Sequence, residues 1–367
     1  MTTRNKHKVD KFFLWLVIFM VFAGFFLFVS AFMGLLAKED TTFARTLSTQ
    51  LFGIVLGFIA LIITSKIKYQ FWKKYSLYLF IGSILLTLLV FVPGVGIEHG
   101  GAHRWLKIGS FSIQPAEFLK VGFVIYFAAF LSALKDKLHS PKQGVLQIFL
   151  ILSIISLILL KQPDTGTLAV IVVSALAMFI VAGGKWRHTF GFVTIGMLGL
   201  WFLTIMRPYA KERLLTFLDP TSDMLGAGWQ IKQSLIAIGS GKLYGRGFGQ
   251  SIQKFTNLPE PIGDSIFAVT AEEFGFIGSV VLIAFFVTLA VRGLQIAKRA
   301  PDQFGGLLVV GIVILIVGQS FFNIGAMLGV FPLTGIPLLF ISQGGSALLA
   351  TLFLIGIVLN VSKHKKV

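Results

Sequence analysis

The segment FFLWLVIFMVFAGFFLFVSAFMGLL, residues 12–36, contains no charged side chain. A helix needs about 20 mostly apolar residues to cross a bilayer, and its backbone satisfies its own hydrogen bonds there. The run is longer than the ~7–15 apolar residues of a signal peptide, and no clear cleavage site follows it. We therefore interpret it as a membrane anchor.

The composition extends this interpretation to the whole chain. Its 367 residues are 56% hydrophobic and only 13% charged, and the mean hydropathy is +0.87. A soluble domain of this length needs a more polar surface. Without Cys, the chain has neither disulfides nor thiolate metal sites. The sequence predicts an all-α polytopic membrane protein that forms a single domain over residues 1–367.

Ten apolar runs are long enough to be transmembrane helices. They lie near residues 12–36, 47–65, 75–92, 115–134, 144–160, 165–182, 189–206, 265–291, 306–330 and 336–361. The sequence FPLTGIP between the last two runs predicts a tight outward hairpin, because Pro and Gly interrupt helices. The stretch 303–362 contains no Asp, Glu, Lys, Arg or His.

The basic residues predict the orientation of these helices. If both termini are cytoplasmic, 19 of the 32 Lys and Arg residues lie on the inside, with only Asp10, Asp136 and Asp302 beside them. This is the positive-inside pattern of membrane proteins. The net charge of +17 therefore reports topology and contact with anionic lipid, and it requires no nucleic acid as a partner.

One outward-facing loop is much longer than the others. Residues 207–264 separate the seventh and eighth predicted helices and form a large extracellular loop. Apolar residues at helical intervals, as in GWQIKQSLIAIG, predict short interfacial helices within it. The Gly-rich sequence GSGKLYGRGFG lacks the residue order of a nucleotide-binding loop, so we interpret it as a flexible turn with solvated basic side chains.

Two pairs of opposite charges lie at the predicted outer ends of helices. Glu117 and Lys120 are three residues apart on one helical face, and they either form a structural ion pair or line a substrate cavity. Asp164 follows Pro163 and fits the N-cap of the sixth helix. Lys161 and Asp164 are expected to add a second charged pair at the same level.

A second outward loop, residues 93–114, contains His99, His103, Arg104 and Lys107. The His spacing resembles that of metal ligands on a helix, but the glycines between them and the lack of a third ligand argue against zinc. Arg104 and Lys107 are better candidates for contact with an anion such as phosphate, although Arg is also an ordinary interfacial anchor.

Three carboxylates lie where the loop meets the eighth helix, in GDSIFAVTAEEFGF, residues 263–276. Asp264 fits an N-cap, and by residue type alone a cap is favoured over a catalytic base. Glu272 and Glu273 follow within the apolar helix, where they could cap or pair with a neighbouring helix, or one could be protonated.

Several strings together resemble the SEDS family (shape, elongation, division and sporulation) in family order over nearly the whole chain. They are QPAEFLK, KQPDTGT, RPYAKERLLTFLDP, GAGWQIKQSLIAIGSG, LPEPIGDSIFAVTAEEFGFIG and FNIGAMLGVFPLTGIPLLFISQGGSALL. The stretch GFGQSIQKFTNLPE is more similar to division-type members than to elongation-type members. Two positions depart from the family pattern: Ile262 and Gly263 replace a usual His-Thr, and Gln343 replaces a usual Tyr.

The resemblance implies a bacterial cytoplasmic-membrane enzyme that polymerises lipid II, the lipid-linked peptidoglycan precursor, at the outer face of the membrane. It implies that Asp264 is the catalytic aspartate and that Glu117, Lys120 and Asp164 belong to the central cavity. Its expected partners are lipid II, undecaprenyl diphosphate, a class B penicillin-binding protein and other division or elongation proteins.

A glycosyl transfer requires a base for the attacking hydroxyl and positive charge for the departing diphosphate. With Asp264 as the base, Arg104, Arg213, Lys120 or a divalent cation (Mg or Mn) are candidates for the charge, and no tightly bound cofactor is expected. FISQGGSALL, with Ser342 and Gly344, fits close helix packing or a substrate groove. A flippase for the same lipid and a non-catalytic scaffold of the division machinery are the alternative functions.

Overall fold

The computed structural model describes residues 9–36, 43–99, 102–108, 111–134, 138, 140, 144–206, 208–219 and 226–364. Twelve α-helices lie within these residues. They are α1 (Lys11–Leu36), α2 (Phe43–Lys66), α3 (Tyr69–Leu88), α4 (Pro115–Leu134), α5 (Leu146–Lys161), α6 (Thr165–Val181), α7 (Trp186–Met206), α8 (Pro208–Leu218), α9 (Ala227–Ser240), α10 (Ile266–Lys298), α11 (Gln303–Met327) and α12 (Gly345–Lys363).

Eight of these helices are long and apolar enough to cross a membrane: α1, α2, α3, α4, α7, α10, α11 and α12. The apolar helices α5 and α6 are shorter, with 16 and 17 residues. A helix falls at each of the ten predicted runs, while the number of spans and the side on which the termini lie stay predictions. Many of the basic residues on which the orientation depends, at positions 4, 6, 8, 135, 137, 142, 365 and 366, lie outside the described residues.

The loop before α4 forms an antiparallel sheet, which the sequence did not predict. Strand β2 (Ala102–Ile108) pairs with β1 (Gly96–His99) on one side and with β3 (Phe111–Ile113) on the other. The register places Glu98 opposite His103 and His99 opposite Ala102. The sheet carries Arg104 on its central strand, β2.

Helices α11 and α12 form the centre of the bundle. Both lack ionisable residues up to Ser362, and nearly every residue of α12 from Ser346 to Ser362 is buried. Small residues permit close approach between α2 and α12, because a Cβ on Gly53 would lie 2.9 Å from the Cα of Gly345. Helix α11 packs against α4, α6 and α10. Glu117 lies on α4, and Asp164 and Asp264 lie at the starts of α6 and α10, so α11 is next to all three helices that position these residues.

The prediction for the final span was wrong in its first part. Helix α12 begins at Gly345, whereas the apolar run was taken as helical from residue 336. Residues 328–344, which we name the return segment, are not a tight hairpin: they fold back into the bundle without α-helical structure. Pro332, Gly335 and Pro337 break the helix, and Leu338 to Ile341 are buried although they are not helical.

Helix α10 is interrupted at Gly275, where the backbone has φ +66° and ψ −164°. Residues 242–247 lie in the segment between α7 and α10, which we name the outer segment after its predicted location. They pair with the interruption and supply its missing hydrogen bonds. These are Arg246 N to Glu272 O (3.0 Å), Gly247 N to Glu273 O (2.9 Å), Phe276 N to Lys242 O (2.9 Å) and Ile277 N to Leu243 O (3.2 Å). These hydrogen bonds fix the short helical piece 266–274 relative to residues 242–247.

The long outer segment contains the two short helices that were predicted, α8 and α9. The expectation for GSGKLYGRGFG was right for its basic side chains, since Lys242 and Arg246 are exposed, and wrong for its backbone, which is bonded to α10. A side chain at position 275 would lie 2.6 Å from the Leu243 carbonyl oxygen, so the contact requires glycine there.

Candidate functional site around Asp264

Asp264 lies in the turn that precedes α10. Three successive backbone carbonyl groups of this turn accept hydrogen bonds from other parts of the chain. The Gln343 amide donates to Ile262 O (2.8 Å), Ser342 Oγ donates to Gly263 O (2.7 Å), and Asn323 Nδ2 donates to Asp264 O (2.9 Å). Two of these donors belong to the return segment and the third to α11. Asp264 is therefore presented from a fixed backbone.

The side chain of Asp264 is not the cap of α10. The N-cap residue is Ser265, and no side-chain hydrogen bond caps this helix within the described range 226–364. The cap interpretation, which residue type alone favoured, is therefore wrong for Asp264. Its carboxylate is left for another role.

The Asp264 carboxylate and the Arg104 guanidinium both lie close to the bare backbone of Gly335. Gly335 of the return segment has φ +70°, and a Cβ there would lie 3.6 Å from Asp264 Oδ2 and 3.9 Å from Arg104 Nη1. Burial raises the pKa of Asp264 from 3.8 to about 6, and the charge of Glu260 contributes to the increase. The positive charges of Arg213 and Arg104 act in the opposite direction. Arg213 projects from α8 and is partly buried.

Arg104 also joins the β1–β3 sheet to the turn between α5 and α6. Its Nε donates to Gln162 O (3.1 Å), and its Nη2 donates to Pro163 O. Gln162 in turn donates from its side chain to Thr87 O at 2.9 Å. These contacts fix the guanidinium beside Asp264, as anion recognition requires.

Asp164 caps α6, as predicted, by accepting a hydrogen bond from Thr167 N at 3.1 Å. Its second oxygen, Oδ2, is buried and has no hydrogen-bond partner among the described residues. The expected pairing of Asp164 with Lys161 was wrong: no ion pair joins them within residues 144–206, and Lys161 Nζ instead lies 4.6 Å from the ring centre of Phe91. A buried acceptor without a donor is costly unless a ligand supplies one.

The first turn of α6 packs on the return segment. A Cβ on Gly166 would lie 2.7 Å from side-chain atoms of Thr334 and Ile336. Gly166, two residues after Asp164, and the Asp264 carboxylate therefore both lie against the return segment.

Glu117 and Lys120 form a fully buried ion pair on α4, with Nζ 2.8 Å from both carboxylate oxygens. Lys120 Nζ also lies 2.5 Å from Gln319 Oε1, and Gln319 Nε2 donates to Pro337 O at 3.2 Å. Both predicted residues are 2% exposed. The contacts support the structural alternative of the two that the sequence left open.

Gln319 and Asn323 were missed in the sequence. They are polar residues one helical turn apart in the apolar run VGQSFFN, and that spacing was the available signal. Gly344, which was predicted to belong to the site, is not joined to Asp264 by any hydrogen bond among the described residues. Its N–H instead donates to the side-chain oxygen of Gln50 on α2.

The two glutamates of α10 bind the outer segment. Glu273 accepts from Ser30 of α1 (2.6 Å) and pairs with buried Lys254 (2.5 Å). Glu272 accepts from Ser251 Oγ (2.6 Å) and from the amides of Ile252 and Gln253. The expected pairing with a neighbouring helix is confirmed for Glu273, which contacts α1, whereas the partners of Glu272 lie in the non-helical residues 246–253.

Among the described residues, no three or more His, Asp or Glu side chains form a group that could hold a metal ion. Mg²⁺ usually keeps several waters and binds through one or two carboxylates together with substrate phosphates. The unpaired oxygen of Asp164 fits such a shared role.

Comparison with known sequences shows where this architecture recurs. A family model described as "Cell cycle protein", which represents FtsW, RodA and SpoVE, matches residues 10–367. Stage V sporulation protein E of Bacillus subtilis (strain 168) is 40% identical over 317 residues, covering 86% of this chain and 87% of that protein. The probable peptidoglycan glycosyltransferase FtsW of Geobacter metallireducens is 39% identical over 312 residues, covering 85% and 83%.

Solved structures agree with the sequence relatives. One chain, from work on the coordination of polymerization and crosslinking by a peptidoglycan synthase complex, superimposes with a TM-score of 0.78 at 29% identity, covering 96% of this chain and 97% of that chain. The rod shape determining protein RodA of Thermus thermophilus gives a TM-score of 0.71 at 27% identity, covering 96% of each chain.

Proposed function

This chain belongs to the FtsW, RodA and SpoVE family of cell-cycle proteins, and we propose that it is a peptidoglycan glycosyltransferase in which Asp264 is the catalytic base. Its substrate is lipid II, and it acts at the outer face of the bacterial cytoplasmic membrane. The names of its relatives favour a role in division or sporulation over one in elongation.

One observation carries the assignment of the base. Asp264 has a fixed backbone and an uncapped carboxylate, and its pKa is raised to about 6. A base with a pKa near neutral is deprotonated at working pH and is still basic enough to accept a proton in the transition state. A positioned base of this kind contributes about 10²–10⁴ in rate.

The reaction joins two lipid-linked disaccharides. The 4-hydroxyl of one attacks the anomeric carbon of the other, its proton passes to Asp264, and the bond from the anomeric carbon to the lipid diphosphate breaks with inversion. Arg104 and Arg213 already act electrostatically on Asp264 and are the side chains best placed to stabilise the departing diphosphate. Asp164 would hold a divalent cation carried by the diphosphate, and such a cation would supply further positive charge.

The flippase alternative is less well supported. The charged residues of the site gather at one end of the bundle, and the central helices α11 and α12 lack ionisable residues from 303 to 362. At the other end, Asp302 accepts from Tyr69 (3.0 Å) and Asp10 pairs with Arg292 (2.9 Å), and these contacts join helix ends. A transporter would need polar groups along the whole path.

We further propose a transpeptidase of the class B penicillin-binding type as partner. The support is the similarity to a chain from a peptidoglycan synthase complex that coordinates polymerization and crosslinking. Coupling of the two activities would place newly made glycan directly at the crosslinking site.

The decisive experiment uses purified protein in liposomes with labelled lipid II. Wild type should form polymer, Asp264→Asn should not, and Glu212→Gln, an exposed acid on α8, should behave as wild type. Movement of lipid II between leaflets without polymer would favour the flippase. Equal absence of polymer and of movement in all three proteins, with normal partner binding, would favour the scaffold.

A further inference from the structure

Two buried amide side chains of α11 have no role in the chemistry described above. Gln319 and Asn323 are 1% and 2% exposed, and they lie one helical turn apart on the face that meets the return segment. Polar residues in the middle of a buried apolar helix are costly unless their hydrogen bonds serve a purpose.

Both amides hold the return segment at adjacent carbonyl groups. Asn323 Nδ2 donates to Ile336 O at 2.9 Å, and Gln319 Nε2 donates to Pro337 O at 3.2 Å. Pro337 has no backbone N–H, so this part of the chain cannot be fixed by an ordinary ladder of backbone hydrogen bonds. The two side chains replace such a ladder.

The same two residues connect the charged pair of α4 to Asp264. Lys120 Nζ contacts Gln319, Gln319 holds the return segment, and Asn323 joins that segment to Asp264 O. The far end of the return segment then fixes Ile262 and Gly263 through Gln343 and Ser342. A continuous series of buried polar contacts therefore runs from Glu117 to the backbone of Asp264.

Lys120 is poorly placed to touch a diphosphate. Its ammonium group is enclosed between Glu117 and Gln319, and the side chain is 2% exposed. A buried ion pair is most valuable when it fixes one arrangement of its neighbours rather than when it adds stability. Here the neighbour that it fixes is Gln319.

We propose that Gln319 and Asn323 are positioning residues for glycosyl transfer, and that the Glu117–Lys120 pair acts on Asp264 through them rather than through contact with substrate. This inference rests on the proposed function, because the geometry that it maintains is that of the catalytic base. Small displacements of a catalytic group cost up to about 10²-fold in rate.

The first test does not depend on activity. Hydrogen–deuterium exchange is measured by mass spectrometry for residues 331–344 in wild type, in Asn323→Ala, in Gln319→Leu and in the neutral pair variant Glu117→Gln with Lys120→Met. All three variants should exchange faster than wild type in this segment. Ser320→Ala is the matched control, because Ser320 is equally buried on α11 but, among the residues that the structure describes, its hydroxyl bonds only to Ile316 of its own helix. Unchanged exchange in the neutral pair variant would overturn the proposal.

The second test separates positioning from substrate binding. Each variant should lower kcat for lipid II polymerisation by about 10- to 100-fold with little change in KM. The neutral pair variant combined with Gln319→Leu should be no worse than the more impaired parent, because both act through one contact. Multiplicative losses, or a raised KM with normal kcat in the neutral pair variant, would assign Lys120 to the substrate instead. If wild type makes no polymer, the proposed function fails, and the exchange measurement still decides the positioning role.

Discussion

The ammonium nitrogen of Lys254 lies 2.5 Å from a carboxylate oxygen of Glu273, and both side chains are buried. Ser30 of α1 completes the group, since its backbone oxygen accepts from Lys254 at 3.0 Å and its hydroxyl donates to Glu273. The pair joins three parts of the chain that are distant in sequence: the first helix, the outer segment and the short helical piece that follows Asp264.

Breaking this pair should destabilise the protein more than removing it. Lys254→Met leaves Glu273 buried without its partner and should cost about 3–5 kcal/mol, whereas Lys254→Met combined with Glu273→Leu should recover much of that loss. Thermal unfolding of the purified proteins, followed by intrinsic fluorescence, measures both effects. If the double variant unfolds at a lower temperature than the single variant, the pair itself stabilises the fold.

Polymerisation should depend on pH through Asp264. Because the base must be deprotonated, kcat/KM should fall as the pH drops through about 6, rather than through the ordinary Asp value near 4. A rate profile from about pH 4.5 to 8 checks this. An acidic limb near the ordinary Asp value would mean that Asp264 is not the titrating base.

Two neighbouring charges should move that limb in opposite directions. Glu260→Gln removes a negative charge that raises the pKa of Asp264, so the limb should shift to lower pH. Arg213→Gln removes a positive charge that lowers it, so the limb should shift to higher pH. Shifts of the same sign in both variants would contradict the assignment.

Gly275→Ala should disrupt the joint between α10 and the outer segment. The new Cβ would lie 2.6 Å from Leu243 O on a backbone with φ +66°, so residues 242–247 would have to move. We expect a loss of stability and a loss of polymerisation of roughly 10-fold or more, since the helical piece that follows Asp264 depends on this joint. Gly239→Ala is the control: it lies in α9 with open space around it and should stabilise by up to about 1 kcal/mol. If the two variants have equal stability and equal polymerisation rates, the contact between α10 and residues 242–247 does not have this role.

The orientation can be tested without removing native thiols, because the chain has no Cys. Tyr244→Cys should react with a membrane-impermeant maleimide on intact spheroplasts, and Arg187→Cys should react only after the membrane is opened. Both side chains are exposed, so accessibility reports the side of the membrane. The reverse pattern would invert the topology and remove Asp264 from the outer face.

Sequence reasoning located the helices well because a long apolar run without charges nearly always forms a helix that crosses a bilayer. It failed at residues 336–344, where the same apolar composition belongs to buried, non-helical chain. The difference is set by contacts distant in sequence: Gln343 and Ser342 bond to Ile262 and Gly263, which composition does not reveal.

The site was predicted only in part, again because contacts between residues distant in sequence cannot be read from composition. Asp264, Arg104 and Asp164 were identified by residue type and by family resemblance, and the structure brings them to the return segment. Lys161 was wrongly paired with Asp164, since proximity in sequence does not fix the direction of a long side chain at a helix end. Asn323 was overlooked although an amide in an apolar helix was visible in the sequence.

The absence of ionisable side chains from residue 303 to residue 362 has an energetic consequence for the cell. Because these two central helices carry no ionisable side chain over that stretch, they contain no acid or base that could relay protons across the lipid. Under the proposed function, the free energy for extending the glycan comes from cleavage of the bond between the sugar and the lipid diphosphate, and a proton path through these helices is not required.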